Sequence, residues 1–401
     1  MNKIFKIFSI GAAMVCAVGF MTSCDQTDAE KDKDSTPKIE FCRVCDPQAA
    51  DSLIVEAALG SRIAFIGRDM GDVQQVWFND QKAKLNPTMV TSNSIIVDVP
   101  NTLPQSITDE VRFVTSKGHE TVYPFSVRIP APIVLSVSCQ YASPGDVMTM
   151  KGDYFLATGD IPLTVTFPGG ITVEPDQYTK EMLMVTVPQG ATEEGYIKLT
   201  SENGTSTVPF KFLETDGMIC NFEPGGYENP WGLGGYSDED GVSGRYLNFK
   251  KAQAGAWAWD NAMNWAYWNA ASGKPIANGD LSKLAVRFET NIVSWANLPM
   301  LMWFFKEDEK VDVDGPEAQA HWMPWLSLGG DTPFTTNGWT TVTIPLTDFK
   351  YDKEGKVDNR VIGNISEYYN FGMMIFGAFT PGTMAFDLDV RIDNIRIVEI
   401  D

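Results

Sequence analysis

The chain has 401 residues, with 31 Lys and Arg against 52 Asp and Glu, and a formal net charge of −21. A charge this negative repels nucleic acid and anionic lipid, which excludes both as binding partners and leaves uncharged ligands open. At 401 residues and 44% apolar composition the chain has material for several buried cores, so a globular protein of more than one domain is expected.

Residues 1–24 read as a targeting segment. Lys3 and Lys6 make a basic start, Ile7 to Phe20 is an apolar stretch too short for a comfortable membrane span, and Met21-Thr22-Ser23-Cys24 closes it. The closing tetrapeptide resembles a bacterial lipobox, which implies cleavage before Cys24 and lipid on that cysteine; the alternative is an ordinary secretory signal. The membrane would then be met only through the anchor. Residues 25–36 are charged and hold no large apolar side chain, so an acidic disordered tether is expected there. An acidic run just after a lipidated cysteine resembles the export signal of Bacteroidetes surface lipoproteins, which implies the outer face of the outer membrane. Cys42, Cys45, Cys139 and Cys220 are too scattered for a disulfide framework. Cys42-Arg43-Val44-Cys45 has the spacing of a zinc or redox half-site. No second pair exists, and the histidines are His119 and His321 alone. Structural cysteines are therefore expected, with no metal and no other cofactor.

From residue 37 the chain repeats itself. Gly60-Ser-Arg-Ile-Ala-Phe-Ile-Gly67-Arg-Asp-Met70 answers Gly145-Asp-Val-Met-Thr-Met-Lys-Gly152-Asp-Tyr-Phe155. Val76-Trp-Phe78 answers Val165-Thr-Phe167, and Ile96-Val-Asp-Val-Pro100 answers Met184-Val-Thr-Val-Pro188. Each copy is a run of short alternating strands broken by Gly, Pro and Asn turns, the pattern of a small β-sandwich. A Gly-bounded apolar strand, a Val-x-Phe strand and an apolar strand ending in Pro resemble the IPT/TIG family of immunoglobulin-like domains. Met70 stands where that family usually has Phe. Residues 37–130 and 131–215 are read as two such domains acting as rigid spacers, joined at Arg128-Ile-Pro-Ala-Pro132.

Residues 216–401 read as one larger β-sandwich, of the jelly-roll type by its strand runs and size, so the whole chain is expected to be all-β. Met300–Phe305 and Phe371–Phe376 are apolar on both faces and are expected as buried strands. Phe386, Leu388, Val390 and Ile392 alternate with Asp387, Asp389, Arg391 and Asp393, and the phase then flips to Ile395 and Ile397, which predicts a bulge at Asp393-Asn394.

Ten of the eleven tryptophans lie between Trp231 and Trp339. Trp suits both cores and ligand platforms. Trp295, Trp303 and Trp339 sit in strand-like runs and are assigned to the core. Others sit in loop chemistry beside Gly, Asn, Pro and Asp, where a ring can stay uncovered and stack on the C–H face of a sugar. The segments Trp339–Phe349 and Asp389–Ile397 look like paired late strands of carbohydrate-binding modules. Together with the lipobox, the acidic run and the tandem repeats, the chain resembles the Bacteroidetes surface glycan-binding proteins, of the type whose C-terminal domain binds xyloglucan. That resemblance implies a flat aromatic platform, and the matching positions are Trp231 in Pro230-Trp-Gly-Leu-Gly-Gly235 and Tyr267-Trp268 in Asn264-Trp-Ala-Tyr-Trp-Asn269. In an extended segment Tyr267 and Trp268 face opposite ways, so Trp265 with Tyr267 is an alternative pair. Trp257 with Trp259, and Trp322 with Trp325, are further candidate pairs. Asn264 and Asn269, with Asp260, Asn261 and Arg245, are candidate partners for sugar hydroxyls. The resemblance also implies two neighbours, an outer-membrane TonB-dependent transporter and its partner glycan-binding lipoprotein.

Two other function classes compete with capture of a neutral polysaccharide. A glycoside hydrolase needs two carboxylates across a cleft, one of them held protonated. The acid runs Asp238-Glu239-Asp240 and Glu307-Asp308-Glu309 are adjacent polar loops, and neither histidine has a nucleophile beside it, so no enzyme is expected. A protein-binding surface adhesin would use the aromatics as an interface core. Asp387, Asp389 and Asp393, or Asp312 and Asp314, could supply oxygen to calcium, but no EF-hand loop is present.

Overall fold

The computed structural model describes residues 27–49, 52–157, 161–224, 235–254, 259–263, 275–306, 317–328, 332–357, 359–376 and 386–400. Its contacts divide the chain into two compact units that meet in sequence at Ile129 and Pro130, within the proline-bearing stretch Arg128–Pro132.

The first unit is an immunoglobulin-like sandwich. One sheet pairs Lys38–Val44, Arg62–Arg68 and Ser94–Asp98, and the other pairs Gln81–Lys82, Val73–Phe78, Glu110–Thr115 and Glu120–Pro124. Phe65, Phe78, Phe113 and Phe125 meet between them, with the Phe65 and Phe113 rings edge to face at 4.9 Å. The segment expected as a disordered tether is partly ordered. Asp28–Lys31 forms one helical turn capped by the Thr27 hydroxyl. Asp32 is buried and accepts from the Gly71 N–H at 2.9 Å, and Asp28 accepts from the Ser92 N–H at 3.1 Å. Composition conceals this because the carboxylates are held by backbone donors some 40 to 60 residues away, as charge-assisted hydrogen bonds rather than by apolar burial.

The second unit opens with the repeat's other copy. Ile133–Val137, Val147–Asp153, Met182–Thr186 and Gln177–Tyr178 form one sheet, and Thr172–Val173, Thr164–Thr166, Gly195–Ser201 and Gly204–Phe212 the other. Phe155 and Met70, the paired ends of the two Gly-bounded motifs, are each fully buried in their own sandwich, so the Met fills the slot that Phe fills in the other copy.

The C-terminal sandwich completes this unit and is jelly-roll-like. Its larger sheet runs Gly235–Ser237, Tyr246–Ala254, Phe386–Glu399, Leu284–Ser294 and Thr340–Pro345, with Met218–Cys220 also paired to Phe386–Glu399. Its smaller sheet runs Trp259–Met263, Asn370–Phe376, Met300–Phe305 and Gln319–Trp322. Phe386, Leu388, Val390 and Ile392, and then Ile395 and Ile397, face the core, as the phase flip requires. The predicted bulge is present: Arg287 pairs with Arg396 and Glu289 with Asp393, and Asn394 takes a φ of 50°. Met300, Met302 and Phe304 fill the core, while Leu301, Trp303 and Phe305 join Met374 and Phe376 in a second buried layer on the outer face. Gly372 permits that layer, since a Cβ there would lie 2.9 Å from the Trp303 ring.

The outer face of the larger sheet is covered by the second sandwich, and the contact is polar. Arg396 and Glu289 are fully buried and meet through two hydrogen bonds, at 2.8 and 3.1 Å. Arg396 also donates to the Gln140 amide oxygen at 2.6 Å, and Thr341 donates to Glu289 at 2.9 Å. The Gln140 N–H donates to the Thr341 hydroxyl, the Tyr141 hydroxyl donates to the Glu214 carbonyl, and Arg287 pairs with the Glu214 carboxylate at 3.4 Å. Burial alone would lower the Arg396 pKa, and the Glu289 charge outweighs it and raises it. Val242 of the C-terminal sandwich enters the apolar core of the second sandwich, and Trp339 packs beside it with its N–H on the Asp240 carbonyl.

Candidate functional site

The C-terminal sandwich has two open edges, and they treat tryptophan differently. At one edge Gly235–Ser237 ends the larger sheet and Trp259–Met263 ends the smaller one, and the chain passes between sheets from Tyr246–Ala254 to Trp259–Met263. In the chain, residues 225–234, which hold Trp231, precede Gly235–Ser237, and residues 264–274, which hold Trp265, Tyr267 and Trp268, follow Trp259–Met263. Trp231, Trp257, Asn264, Trp265, Tyr267, Trp268 and Asn269 lie outside the described residues. Trp259 and Asn261 lie on the edge strand, in register with Phe376 and Met374 of the outer apolar layer, and Asp260 pairs with Ile375 between them.

What is described at this edge is the base of the first loop, and it is clamped. Phe222 is fully buried, with the Tyr236 ring 6.3 Å away. Arg245 lies over Tyr236 with its guanidinium carbon 4.4 Å from the ring centre, and its Nε donates to the Phe222 carbonyl. The Arg245 N–H donates to Glu223 at 3.0 Å. Arg245, a candidate for sugar hydroxyls, therefore braces both ends of the loop, with its Nη2 buried and unpartnered. The second loop returns at Ile276, a core residue whose N–H donates to the Tyr368 carbonyl at 2.8 Å.

At the opposite edge, Gln319–Trp322 and Thr340–Pro345, the expectation of an open Trp322–Trp325 pair is corrected. Trp325 is buried and its indole N–H donates to the Leu298 carbonyl at 3.0 Å, the same oxygen that accepts from Trp295 at 2.8 Å. Trp322 stands edge-on to Trp295 at 4.8 Å and to Phe288 at 5.0 Å. The 3-10 turn Pro324–Leu328 folds Trp325 back onto the core, so neither its face nor its N–H is left for a sugar. Trp295 and Trp303 are buried as assigned, and Trp339 lies half-buried where the C-terminal sandwich meets the second one.

The titratable groups follow the same division. Among the described acids, Asp238, Glu239 and Asp240 are exposed. Asp393, offered by the sequence as an oxygen donor to calcium together with Asp387 and Asp389, stands apart from those acids. It is fully buried, accepts from Ser243 at 2.8 Å and from its neighbour's N–H, and burial pushes its carboxyl up to about 8. It lies under the polar contact with the second sandwich, closed to any substrate. Among the described residues no three His, Cys, Asp or Glu side chains gather as a metal site; Asp389 pairs with Lys250 and Asp387 accepts from the Gln253 N–H. Cys42, Cys45, Cys139 and Cys220 are free thiols, and burial pushes Cys42 and Cys220 up to about 12, which makes them poor nucleophiles and ligands. His321 is lowered by burial and its Nε2 lies 2.7 Å from the Asp352 carbonyl.

Residues 212–399 match the family model of the surface glycan-binding protein B xyloglucan-binding domain. The fold also matches the crystal structure of the surface glycan-binding protein PbSGBP-B from Prevotella bryantii, with a TM-score of 0.75 and 25% identity over 91% of this chain and 99% of that one. The chain is homologous to the surface glycan-binding proteins. An IPT/TIG domain-containing protein of Bacteroides ovatus is 31% identical over 222 residues, which is 51% of this chain and 44% of the relative. The chain thus spans less than half the length of that curated relative. These surface glycan-binding relatives are named for binding, not for catalysis, and the IPT/TIG name agrees with the two immunoglobulin-like sandwiches. Among the described residues no helix is long and apolar enough to cross a membrane, and Cys24 lies outside them.

Proposed function

We propose that the chain is a cell-surface lipoprotein that captures a neutral polysaccharide, xyloglucan or a similar uncharged glycan, without cleaving it. Lipid on Cys24 holds it to the outer membrane. Trp231, Tyr267 and Trp268 form the platform, Trp265, Trp257 and Trp259 extend it, and Asn264 and Asn269 meet sugar hydroxyls. Stacking supplies apolar contact and the amides supply direction. Captured glycan passes to an outer-membrane TonB-dependent transporter and its partner glycan-binding lipoprotein. The observation that carries this reading is that the segments holding Trp231 and Trp265, Tyr267 and Trp268 adjoin in sequence the strands at one edge of a domain matched by a xyloglucan-binding family model, while the tryptophans of the other edge pack inward.

The test is affinity gel electrophoresis of the full chain in xyloglucan. Trp231→Ala is expected to lose most of the retardation and keep the wild-type melting temperature. Retained retardation would remove Trp231 from the platform, and a large melting loss would make it core.

A further inference from the structure

The second sandwich and the C-terminal sandwich, which form one compact unit, border a crevice that shares no lining residue with the edge strands Gly235–Ser237 and Trp259–Met263. Leu135, Tyr196 and Phe210 line it from one side and Arg287, Glu399 and Ile400 from the other, around about 950 Å³. A neighbouring pocket of about 280 Å³ shares Leu135, Phe210, Arg287 and Ile400 with it and is lined also by Gln140, Thr341 and Thr343. This is the size range of pockets that hold small organic ligands.

Three observations define the ligand chemistry. Tyr196 is 49% exposed and Leu135 69% exposed, so the mouth offers a ring face and an apolar rim. Gln140 is 2% exposed, and its orientation is fixed because the Arg396 guanidinium can only donate to it. That leaves the Gln140 Nε2 buried and without an acceptor, on a side chain that lines the smaller pocket. The charges cancel: Arg287 is paired with Glu214, and Lys283 faces the crevice together with Glu399. A ring face, an amide donor seeking an oxygen and a neutral lining suit a sugar better than an anion, a cation or a purely apolar molecule.

We propose that this crevice is a second saccharide subsite, taking a short neutral oligosaccharide or a branch of a longer glycan. A pyranose ring lies against Tyr196 and a hydroxyl oxygen accepts from Gln140 Nε2. The ligand class rests on the glycan-capture reading; the site does not share residues with the aromatic loops. Two sites in one compact unit would hold a long chain more firmly than either alone.

Hydrogen–deuterium exchange on the full chain tests this, with cellohexaose and a xyloglucan heptasaccharide as probes. Slowed exchange is expected over residues 133–137 and 204–212 in wild type and in Tyr196→Phe, and is expected to vanish in Tyr196→Ala. Leu135→Asp, a separate change on the same wall, should give the same loss, which guards against a folding defect in Tyr196→Ala. Protection confined to residues 225–234 and 264–274, or protection of the crevice that survives both disruptive variants, overturns the subsite and leaves the loop platform standing. Protection nowhere in the chain overturns both.

Discussion

The two tandem sandwiches share a repeat but put its surface positions to different uses. With Gly60 aligned to Gly145, Val55 and Glu56 correspond to Gln140 and Tyr141. Val55 is 71% exposed and Glu56 makes a solvent-exposed pair with Arg128 at 3.5 Å. Gln140 and Tyr141 are buried, and the Arg396 guanidinium carbon sits 5.1 Å from the Tyr141 ring. The cores obey the repeat and the interface does not. A sandwich core needs only alternating apolar residues, whereas a polar interface needs particular partners at particular distances. The second copy is therefore joined to the C-terminal sandwich through a common buried network, and residues 216–401 taken alone would expose Glu289 and Arg396.

The contrast can be broken most severely at Arg396. Arg396→Met leaves Glu289 buried without its partner and is expected to cost about 3–5 kcal/mol in urea unfolding followed by Trp fluorescence. Adding Glu289→Leu should recover most of it; a loss as large in the double variant would mean that packing, not charge, holds the interface. A smaller effect is expected at Asp393. Its carboxyl rises from 3.8 unfolded to about 8 folded, so the folded state holds a proton that the unfolded state has released across that window. Stability therefore falls as pH rises from about 4 to 8, by on the order of 2 kcal/mol between pH 5 and 7. Asp393→Asn should flatten that slope in melting curves, and an unchanged slope would place the titration elsewhere. Tyr141→Phe removes one hydroxyl bond to Glu214 and should cost about 1 kcal/mol. At the corresponding position of the first copy, Glu56→Ala should leave the melting temperature within measurement scatter, because its ion pair is exposed. A loss there equal to that of Tyr141→Phe would erase the difference between the copies.

Much of the architecture was legible in residue order. The Gly-bounded motifs marked both sandwiches, and the phase flip from Ile392 to Ile395 marked the bulge, because a period of two is a direct record of which face is buried. Trp295 and Trp303 were legible as core from their strand context. Trp322 and Trp325 were not, since Pro324 between them reads as loop chemistry whether the turn projects outward or folds inward. The charges at Arg287 and Glu289 alternate with apolar neighbours, a pattern shared by a solvated face and by a face covered with a polar partner. The ordering of residues 27–36 was hidden for the same reason: carboxylates docked on backbone N–H groups look like a solvated tail.

By itself the sequence determined the all-β class, the repeat, the acidic exterior and the concentration of aromatic rings in the C-terminal half, because these depend on periodicity and composition. Only the tertiary structure decided which tryptophans turn inward, which charges are buried and that the second sandwich caps the C-terminal sheet. Those outcomes depend on partners far apart in the chain: Arg396 meets Glu289 and Gln140 across more than a hundred residues each. No local pattern encodes such a meeting; it exists only once two sheets are packed face to face and their polar groups must find one another.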